Sequence, residues 1–168
     1  MSSDERSYIW VSSWNVSEKL DIPKVLVHDI VYEYLCNSRE VLKSGGSVNL
    51  FGLFTVTSKD TISGYIPTFA YTCMEIANKL SLPNQTVYHV MKDYIDNAIR
   101  MLKEGLVVEF RGICTMHPLR DSTGNIKCIN TNIAQGLKEY TGNSALRVYT
   151  CKWLRQDIRV AYKEAVGQ

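Results

Sequence analysis

Cysteine and histidine are the residues in this sequence whose spacing could support catalysis or metal binding. Cys114 and His117 are separated by two residues and could supply two zinc ligands. Two ligands do not close a tetrahedral site, and the other histidines, His28 and His89, show no metalloprotease spacing. Paired carboxylates occur only as ordinary charges on predicted helix surfaces. The sequence therefore predicts no enzyme, no cofactor and no metal site.

A row of positive charge near the C-terminus is a second chemical pattern. Residues 120–168 hold 8 lysines and arginines against 4 acidic residues, whereas residues 1–119 hold 11 against 13. Four basic residues recur at helical spacing along one face: Lys152, Arg155, Arg159 and Lys163. The apolar stripe of the same helix is Leu154, Ile158, Ala161 and Ala165. The basic face is either a solvated outer surface or a strip that contacts phosphates or an acidic partner. Tyr149 and Trp153 beside it are interpreted as core or interface anchors.

The overall composition is that of a soluble, folded protein. The chain has 168 residues, of which 45% are apolar and 21% charged. No apolar run approaches the roughly 20 residues of a membrane helix, and the N-terminal MSSDERS has no signal-peptide core. The five cysteines are odd in number and form no Cys-x-x-Cys pair, which favours reduced thiols. A cytoplasmic location is therefore expected.

An internal repeat predicts the elements that position these residues. The stretch KSGGSVNLFGLFTV at residues 43–56 returns sixty residues later as KEGLVVEFRGICTM at 103–116. Sliding residues 10–57 onto 70–117 without a gap aligns glycines and apolar faces together, which chance rarely does. Identical pairs include Lys19/Lys79, Pro23/Pro83, Val27/Val87, Tyr34/Tyr94, Leu42/Leu102, Gly45/Gly105, Gly52/Gly112 and Thr55/Thr115. The sequence therefore contains two copies of one unit.

Each copy predicts two helices followed by a β-hairpin. The first helices cover residues 10–20 and 70–80, and the second helices cover about 22–43 and 82–103. An apolar stripe at helical spacing marks the buried face of each second helix. An alternating pattern of apolar and polar residues then predicts a strand with one buried face.

Capping and turn residues set the limits of these elements. Asp21 and Ser81 are the predicted N-caps of the second helices, with Pro23 and Pro83 near the first turn. Glycines follow at the predicted left-handed helix ends, Gly45 and Gly105, and in the turns between strands, Gly52 and Gly112.

The order of elements resembles the bacterial histone-like HU and integration host factor family. In that family the second helix leads through a glycine into a strand and a Gly-Phe-Gly-x-Phe turn. GLFTV at residues 52–56 and GICTM at 112–116 occupy that turn here, and IPTFA at 66–70 resembles the family's Pro-x-Phe strand end. The resemblance covers most of residues 10–117 and, more loosely, 118–166.

The resemblance implies an α+β fold of two HU/IHF-like units in tandem. Each unit would have a helix–turn–helix and a β-hairpin arm, and the two would form a single-chain pseudo-dimer with a C-terminal amphipathic helix. The predicted units are residues 8–67 and 68–168. Only one helix, at about 68–80, is left to close the first copy and open the second. That helix is either shared between the units or one element is missing.

The predicted arms depart from the family pattern. Arms of that family enter the minor groove of DNA and bend the duplex, with a proline of an Arg-Asn-Pro tip wedged between base pairs. Neither arm here has that tip, and Phe54 and Cys114 replace the second glycine of the turn. The first arm, TSKDTISGYIP, carries one lysine against one aspartate, and the second, HPLRDSTGNIKCINTN, turns at residues 122–125.

We therefore expect a non-enzymatic architectural protein that acts mainly as a protein–protein assembly module. The resemblance offers a virion connector or ring component of a tailed phage as an example, whose location would be the virion. The alternative is an HU/IHF-like protein that binds and bends DNA. The expected partners are other protein subunits, in a homo- or hetero-assembly, or alternatively double-stranded DNA, and neither a membrane nor a small molecule.

The residues expected to make these contacts fall into two groups. Apolar residues expected to be exposed on the arms, where they would contact a partner by strand addition, are Ile62, Tyr65, Ile126 and Ile129. Residues expected to contact nucleic acid or an acidic partner are Lys59, Arg120 and Lys127, together with Lys152, Arg155, Arg159 and Lys163.

Overall fold

The computed structural model describes residues 6–7, 9–58, 66–142 and 145–167. Within them the chain forms six helices and seven strands, so the expected α+β class is confirmed. In chain order the elements are β1 (Arg6–Ser7), α1 (Ile9–Leu20), α2 (Lys24–Lys43), β2 (Val48–Leu50), β3 (Phe54–Ser58), α3 (Phe69–Leu80), α4 (Asn84–Lys103), β4 (Val107–Phe110), β5 (Cys114–Arg120), β6 (Ile126–Ile133), α5 (Gln135–Thr141), β7 (Leu146–Thr150) and α6 (Lys152–Ala165).

The helices and hairpins recur with the spacing found in the sequence. Helix α3 begins and ends sixty residues after α1, and α4 begins and ends sixty residues after α2. The strand registers keep the same offset, because Val48 pairs with Val56 in the first hairpin and Val108 pairs with Met116 in the second. Buried residues alternate with partly exposed ones along β3 and β4, so one face of each hairpin points into the core.

The residues between the paired helices cap them differently from the prediction. Asp21 and Ser81 adopt left-handed conformations, with φ of 55° and 56°, and Ser81 ends α3. The N-caps of α2 and α4 are Pro23 and Pro83, whose extended backbones have ψ of 135° and 141°. A residue that precedes proline is kept out of the helical conformation, so neither helix can begin before its proline. The prediction of Asp21 and Ser81 as N-caps is therefore wrong.

Two turn glycines connect the copies to each other. Gly52 and Gly112 have φ of 84° and 81°, as predicted for tight turns between strands. A Cβ atom at Gly52 would lie 3.2 Å from Cδ1 of Ile99 in α4, and one at Gly112 would lie 3.1 Å from Cδ of Arg39 in α2. Ile99 and Arg39 are themselves sixty residues apart. Each hairpin turn therefore packs on the second helix of the other copy, at equivalent positions.

Two sheets carry the hairpins. One has the strand order β1-β4-β5-β6 and the other has the order β2-β3-β7. Strand β1 is parallel to β4, and the other pairs are antiparallel. Strand β6 lies beside β5 in one sheet, and β7 lies beside β3 in the other. The sheet of the first hairpin is therefore completed by a strand from the C-terminal part of the chain.

The two outer strands end in the same way. The backbone N–H of Ala134, after β6, donates to the carbonyl oxygen of Ile113, and that of Cys151, after β7, donates to the carbonyl oxygen of Leu53, both at 2.8 Å. Ile113 and Leu53 are sixty residues apart, whereas Ala134 and Cys151 are seventeen apart. A shorter strand–helix repeat, β6–α5 and β7–α6, thus follows the longer one.

This second repeat supplies the element that the first copy lacks. Strand β7 closes the first sheet, so that sheet does not depend on sharing the helix at about 68–80. The predicted division at residues 8–67 and 68–168 assigns β7 to the second unit, although β7 pairs with β3. The division of the chain into these two domains stays a prediction.

One hydrophobic core runs through both copies. Phe54 of β3 and Phe110 of β4 meet edge to face, with ring centroids 5.0 Å apart. Tyr94 of α4 packs on Phe110 with centroids 6.3 Å apart. All three side chains are buried, and burial raises the pKa of Tyr94 far above its ordinary value. The two sheets and the second helix of the second copy therefore share one aromatic centre.

Candidate functional site

Helix α6 presents the predicted basic row to solvent. Leu154 and Ile158 are 3% and 4% exposed, and the helix packs against β6. The four exposed basic residues are Lys152, Arg155, Arg159 and Lys163. The acidic Asp157 on the same helix lies 3.0 Å from Nζ of Lys103 in an ion pair. The row lies where the sequence predicts it, and its contact with nucleic acid or an acidic partner stays a prediction.

The turn between β5 and β6 is organised around one carboxylate. Asp121 accepts hydrogen bonds from the hydroxyl and the backbone N–H of Thr123 at 2.7 and 2.9 Å, and from the N–H of Asn125 at 3.1 Å. The hydroxyl of Tyr162 in α6 also donates to Asp121, at 2.9 Å. These hydrogen bonds, first that of the Thr123 hydroxyl, lower the pKa of Asp121 to about 2. The tip of the hairpin is thereby tied to the C-terminal helix.

The strand residues beside this turn are also held against the body of the protein. Arg120 donates to the carbonyl oxygen of Gly124 at 2.7 Å, and its guanidinium lies over Gly105, where an added Cβ atom would collide with it. Ile126 and Ile129 pack against the hydrophobic core and are only partly exposed. The expectation that these two isoleucines are exposed is therefore wrong, because the hairpin lies on the body instead of projecting from it.

The other predicted contact residues have mixed outcomes. Lys127 of β6 is exposed. Ala161 and Ala165, predicted in the apolar stripe of α6, are exposed and line an open cleft of about 310 Å³ with Ile126 and Tyr162. Three residues of the first arm lie outside the described residues: Lys59, Ile62 and Tyr65.

Tyr162→Phe should release the hairpin tip from α6. The variant removes the hydroxyl that donates to Asp121, so amide exchange at residues 120–125 should accelerate and the Asp121 pKa should rise. Because that pKa is depressed in the folded state, the carboxylate stabilises the protein fully above about pH 5 and loses its effect as the pH falls toward 2. NMR exchange and a carboxyl titration measure both quantities.

Tyr149→Phe is the matched control, since it deletes the same hydroxyl from an exposed tyrosine on β7. It should leave the exchange of residues 120–125 and the Asp121 pKa unchanged. Equal exchange rates in the two variants would show that Tyr162 does not hold the tip.

Three aromatic side chains surround an open cleft beside the first hairpin turn. Phe51 is 70% exposed, Tyr149 52% and Trp153 72%. The cleft has a volume of about 460 Å³ and is also lined by Ile99 and Leu154. Tyr149 and Trp153 are therefore not core residues. Of the two interpretations made from the sequence, only the interpretation as interface anchors remains. Large apolar side chains gathered at one exposed place mark an interaction site, whereas single scattered ones do not.

A second cleft of about 450 Å³ adjoins the first. Both are lined by Phe51, Gly52 and Ile99. Phe69 and Tyr88 line the second, with ring centroids 5.4 Å apart. We refer to the two together as the Phe51 cleft.

Charged residues of both signs line the Phe51 cleft. Lys92 and Lys152 contribute positive charge, and Asp96 and Asp157 contribute negative charge. Asp157 is already paired with Lys103. The charge left to meet a partner is therefore positive.

The sequence-based predictions include neither Phe51 nor Ile99. The repeat aligns Phe51 with Arg111 and Ile99 with Arg39, so two apolar residues stand where the other copy has arginines. An apolar residue at an exposed turn whose equivalent is charged is the signal that would have identified this cleft.

Cys114 is a buried thiol of the core. It is 1% exposed, and burial raises its pKa well above the ordinary value, so the thiolate that binds metals or attacks substrates is disfavoured. Among the described residues no group of three or more His, Cys, Asp or Glu side chains could hold a metal ion. In the same part of the chain no helix is both long and apolar enough to cross a membrane. That the protein is not an enzyme stays a prediction.

The chain matches no family model, and no curated protein matches it. The resemblance to the HU and integration host factor family thus stands on the sequence pattern, and a function has to be proposed from the geometry.

Proposed function

We propose that this chain is a non-enzymatic architectural protein that acts by binding other proteins within an assembly. Its fold, on this proposal, is a tandem pair of HU/IHF-like units that form a pseudo-dimer within one chain. The reciprocal packing of each hairpin turn on the other copy's second helix supports the pseudo-dimer, because partners related by a two-fold axis exchange the same contacts. A connector or ring subunit of a phage virion is an example of such a role, by analogy of fold.

The observation that carries the proposal is the position of the β5–β6 hairpin. An arm that bends DNA has to project from the body to enter the groove. Here Tyr162 holds the turn at the tip, and Arg120, at the end of β5 beside that turn, packs over Gly105, so the distal end of the hairpin lies on the body. The most exposed large apolar side chains include Phe51 and Trp153, a composition typical of protein interfaces.

Binding of duplex DNA is the second candidate, and the basic row of α6 favours it. Four positive charges on one helical face would neutralise up to about four phosphates, each of which adds to affinity and to salt dependence. The whole chain carries a net charge of only +2, which weakens non-specific attraction to a polyanion.

Duplex-DNA affinity, measured by fluorescence anisotropy at about 50 and 200 mM salt, separates the two candidates. We expect weak binding with a shallow salt dependence. If DNA is bound, Arg155→Glu combined with Arg159→Glu should weaken binding more than Lys59→Glu in the first arm. Tight binding that falls steeply with salt would overturn the assembly proposal and replace it with the DNA-binding one.

A further inference from the structure

We propose that the Phe51 cleft binds a short acidic segment of another protein through at least one large apolar side chain of that segment. This rests on the proposed assembly function and names the surface and the chemistry of the partner. The arguments are the comparison between the two copies, the charge around the cleft and the shape of its lining.

The turn of the second hairpin, at Gly112, shows what fills the equivalent position. There the side chain of Arg39 lies between two glycines, with Cδ 3.1 Å from a Cβ at Gly112 and Nη2 3.3 Å from a Cβ at Gly136. At the turn of the first hairpin the equivalent helix residue is Ile99, whose Cδ1 lies 3.2 Å from a Cβ at Gly52. Among the described residues, one of the two equivalent spaces is thus occupied by an arginine, whereas the other is an open cleft.

The residues that border the open space are also larger and more aromatic than their equivalents around the filled one. Phe51 corresponds to Arg111 across the sixty-residue repeat, and Trp153 corresponds to Gly136 across the seventeen-residue repeat. The open space therefore gains two large aromatic residues that are 70% and 72% exposed. Exposed aromatic residues beside a concave surface are the side chains that most often dominate binding energy at protein interfaces.

The charge around the cleft selects an acidic partner. Asp157 is paired with Lys103, so the remaining charged residues of the lining are Lys92, Lys152 and Asp96, and their net charge is positive. The basic row of α6 begins at Lys152 and extends this positive field away from the cleft, since its other members are also exposed. Complementary charge would steer an acidic segment to the cleft and fix its orientation.

The lining favours a protein segment over a single-stranded nucleic acid. The two halves of the open cleft, at about 450 and 460 Å³, are each large enough to receive an apolar side chain. Aliphatic side chains, Ile95, Ile99 and Leu154, line it between the aromatic residues. A segment with one large apolar side chain and flanking acidic residues would contact both the apolar lining and the lysines of the cleft.

A random-peptide display selection on the full-length protein tests this proposal. Peptides enriched by the selection are then labelled with fluorescein and titrated by anisotropy against each variant. We expect the enriched peptides to join a large apolar residue to aspartate or glutamate. Phe51→Ala should weaken their binding about tenfold or more, as loss of a central aromatic contact does.

Ile99→Arg provides an independent variant, because it copies the residue that fills the equivalent space in the other copy. We expect it to abolish peptide binding while leaving the unfolding midpoint close to that of the wild type. Arg111→Ala is the matched control, since Arg111 is the exposed turn residue at the position equivalent to Phe51. It should leave the affinity within about twofold, as substitutions outside a binding surface do.

Two outcomes would overturn the proposal. The first is a selection whose peptides bind equally to the wild type, Phe51→Ala and Ile99→Arg, or that enriches no peptide at all. The second is binding of fluorescein-labelled oligothymidine that Phe51→Ala weakens, which would make the cleft a single-strand site. Neither result decides the assembly function itself. That function is tested separately by duplex-DNA binding, with variants in α6 and in the first arm.

Discussion

Phe110→Ala should lower the free energy of unfolding by about 3–5 kcal/mol, the usual loss when a buried phenylalanine is truncated. Phe110 is fully buried and contacts Phe54 of the other sheet and Tyr94 of α4. Removing the ring leaves a cavity where the two sheets meet, beside Tyr94 of α4. The loss would consume much of the roughly 5–15 kcal/mol by which a domain is stable. Urea denaturation followed by circular dichroism measures it.

Phe51→Ala is the matched control for that experiment. The side chain of Phe51 is 70% exposed, so its truncation should change the free energy of unfolding by no more than about 0.5 kcal/mol. Phe110→Leu should fall between the two, since it retains an apolar side chain in the same space. A loss below about 1 kcal/mol in Phe110→Ala would mean that the Phe54–Phe110 contact does not join the sheets.

The sequence predicts the helices and turns well because local chemistry determines them. Helical periodicity placed the starts and ends of the four repeated helices within two residues of those observed. Gly45 and Gly105, predicted as left-handed helix ends, have φ of 88° and 92°. The capping prediction failed at Asp21 and Ser81 because it considered only the side-chain preference for an N-cap. If either residue were the N-cap, the next residue would have to be helical, and the proline that follows it disfavours that conformation.

Closure of the first sheet could not be predicted, because it depends on contacts between distant parts of the chain. A sixty-residue repeat predicts neighbours within each copy, whereas β7 reaches β3 from about ninety residues away. The seventeen-residue repeat that would have revealed β7 is carried by few side chains. Leu137 and Leu154 are its buried pair, and the other evidence for it is backbone hydrogen bonding.

The positive charge of the candidate site could be predicted from the sequence, whereas the position and shape of its cleft could not. The basic row of α6 follows from spacing alone, because every member lies on one helical face. The Phe51 cleft requires a turn, a helix of the other copy and the start of α6 to meet, so no single segment shows it. The comparison of Arg39 with Ile99 becomes meaningful only once both are known to face equivalent turns.

A chain truncated after Gly142 should lose cooperative unfolding, because it lacks β7 and α6. Strand β3 would lose its partners from Phe54, paired with Thr150, to Ser58, paired with Leu146. Removing α6 also deletes Leu154 and Ile158, and each buried aliphatic side chain contributes about 1.5–3 kcal/mol. Together these losses approach the whole stability of a domain. Calorimetry should show no sharp transition.

A synthetic peptide of residues 145–168, added to the truncated chain, separates loss of this closure from a general failure to fold. If β7 completes the first sheet, the peptide should add beside β3 and restore a transition whose midpoint rises with peptide concentration. A peptide carrying Leu154→Asp should not restore it, because the charge would enter the site where the helix anchors in the core. A truncated chain that unfolds like the full-length protein would show that the first sheet is stable without β7, and that the copies are held by their helices and the Phe54–Phe110 contact alone.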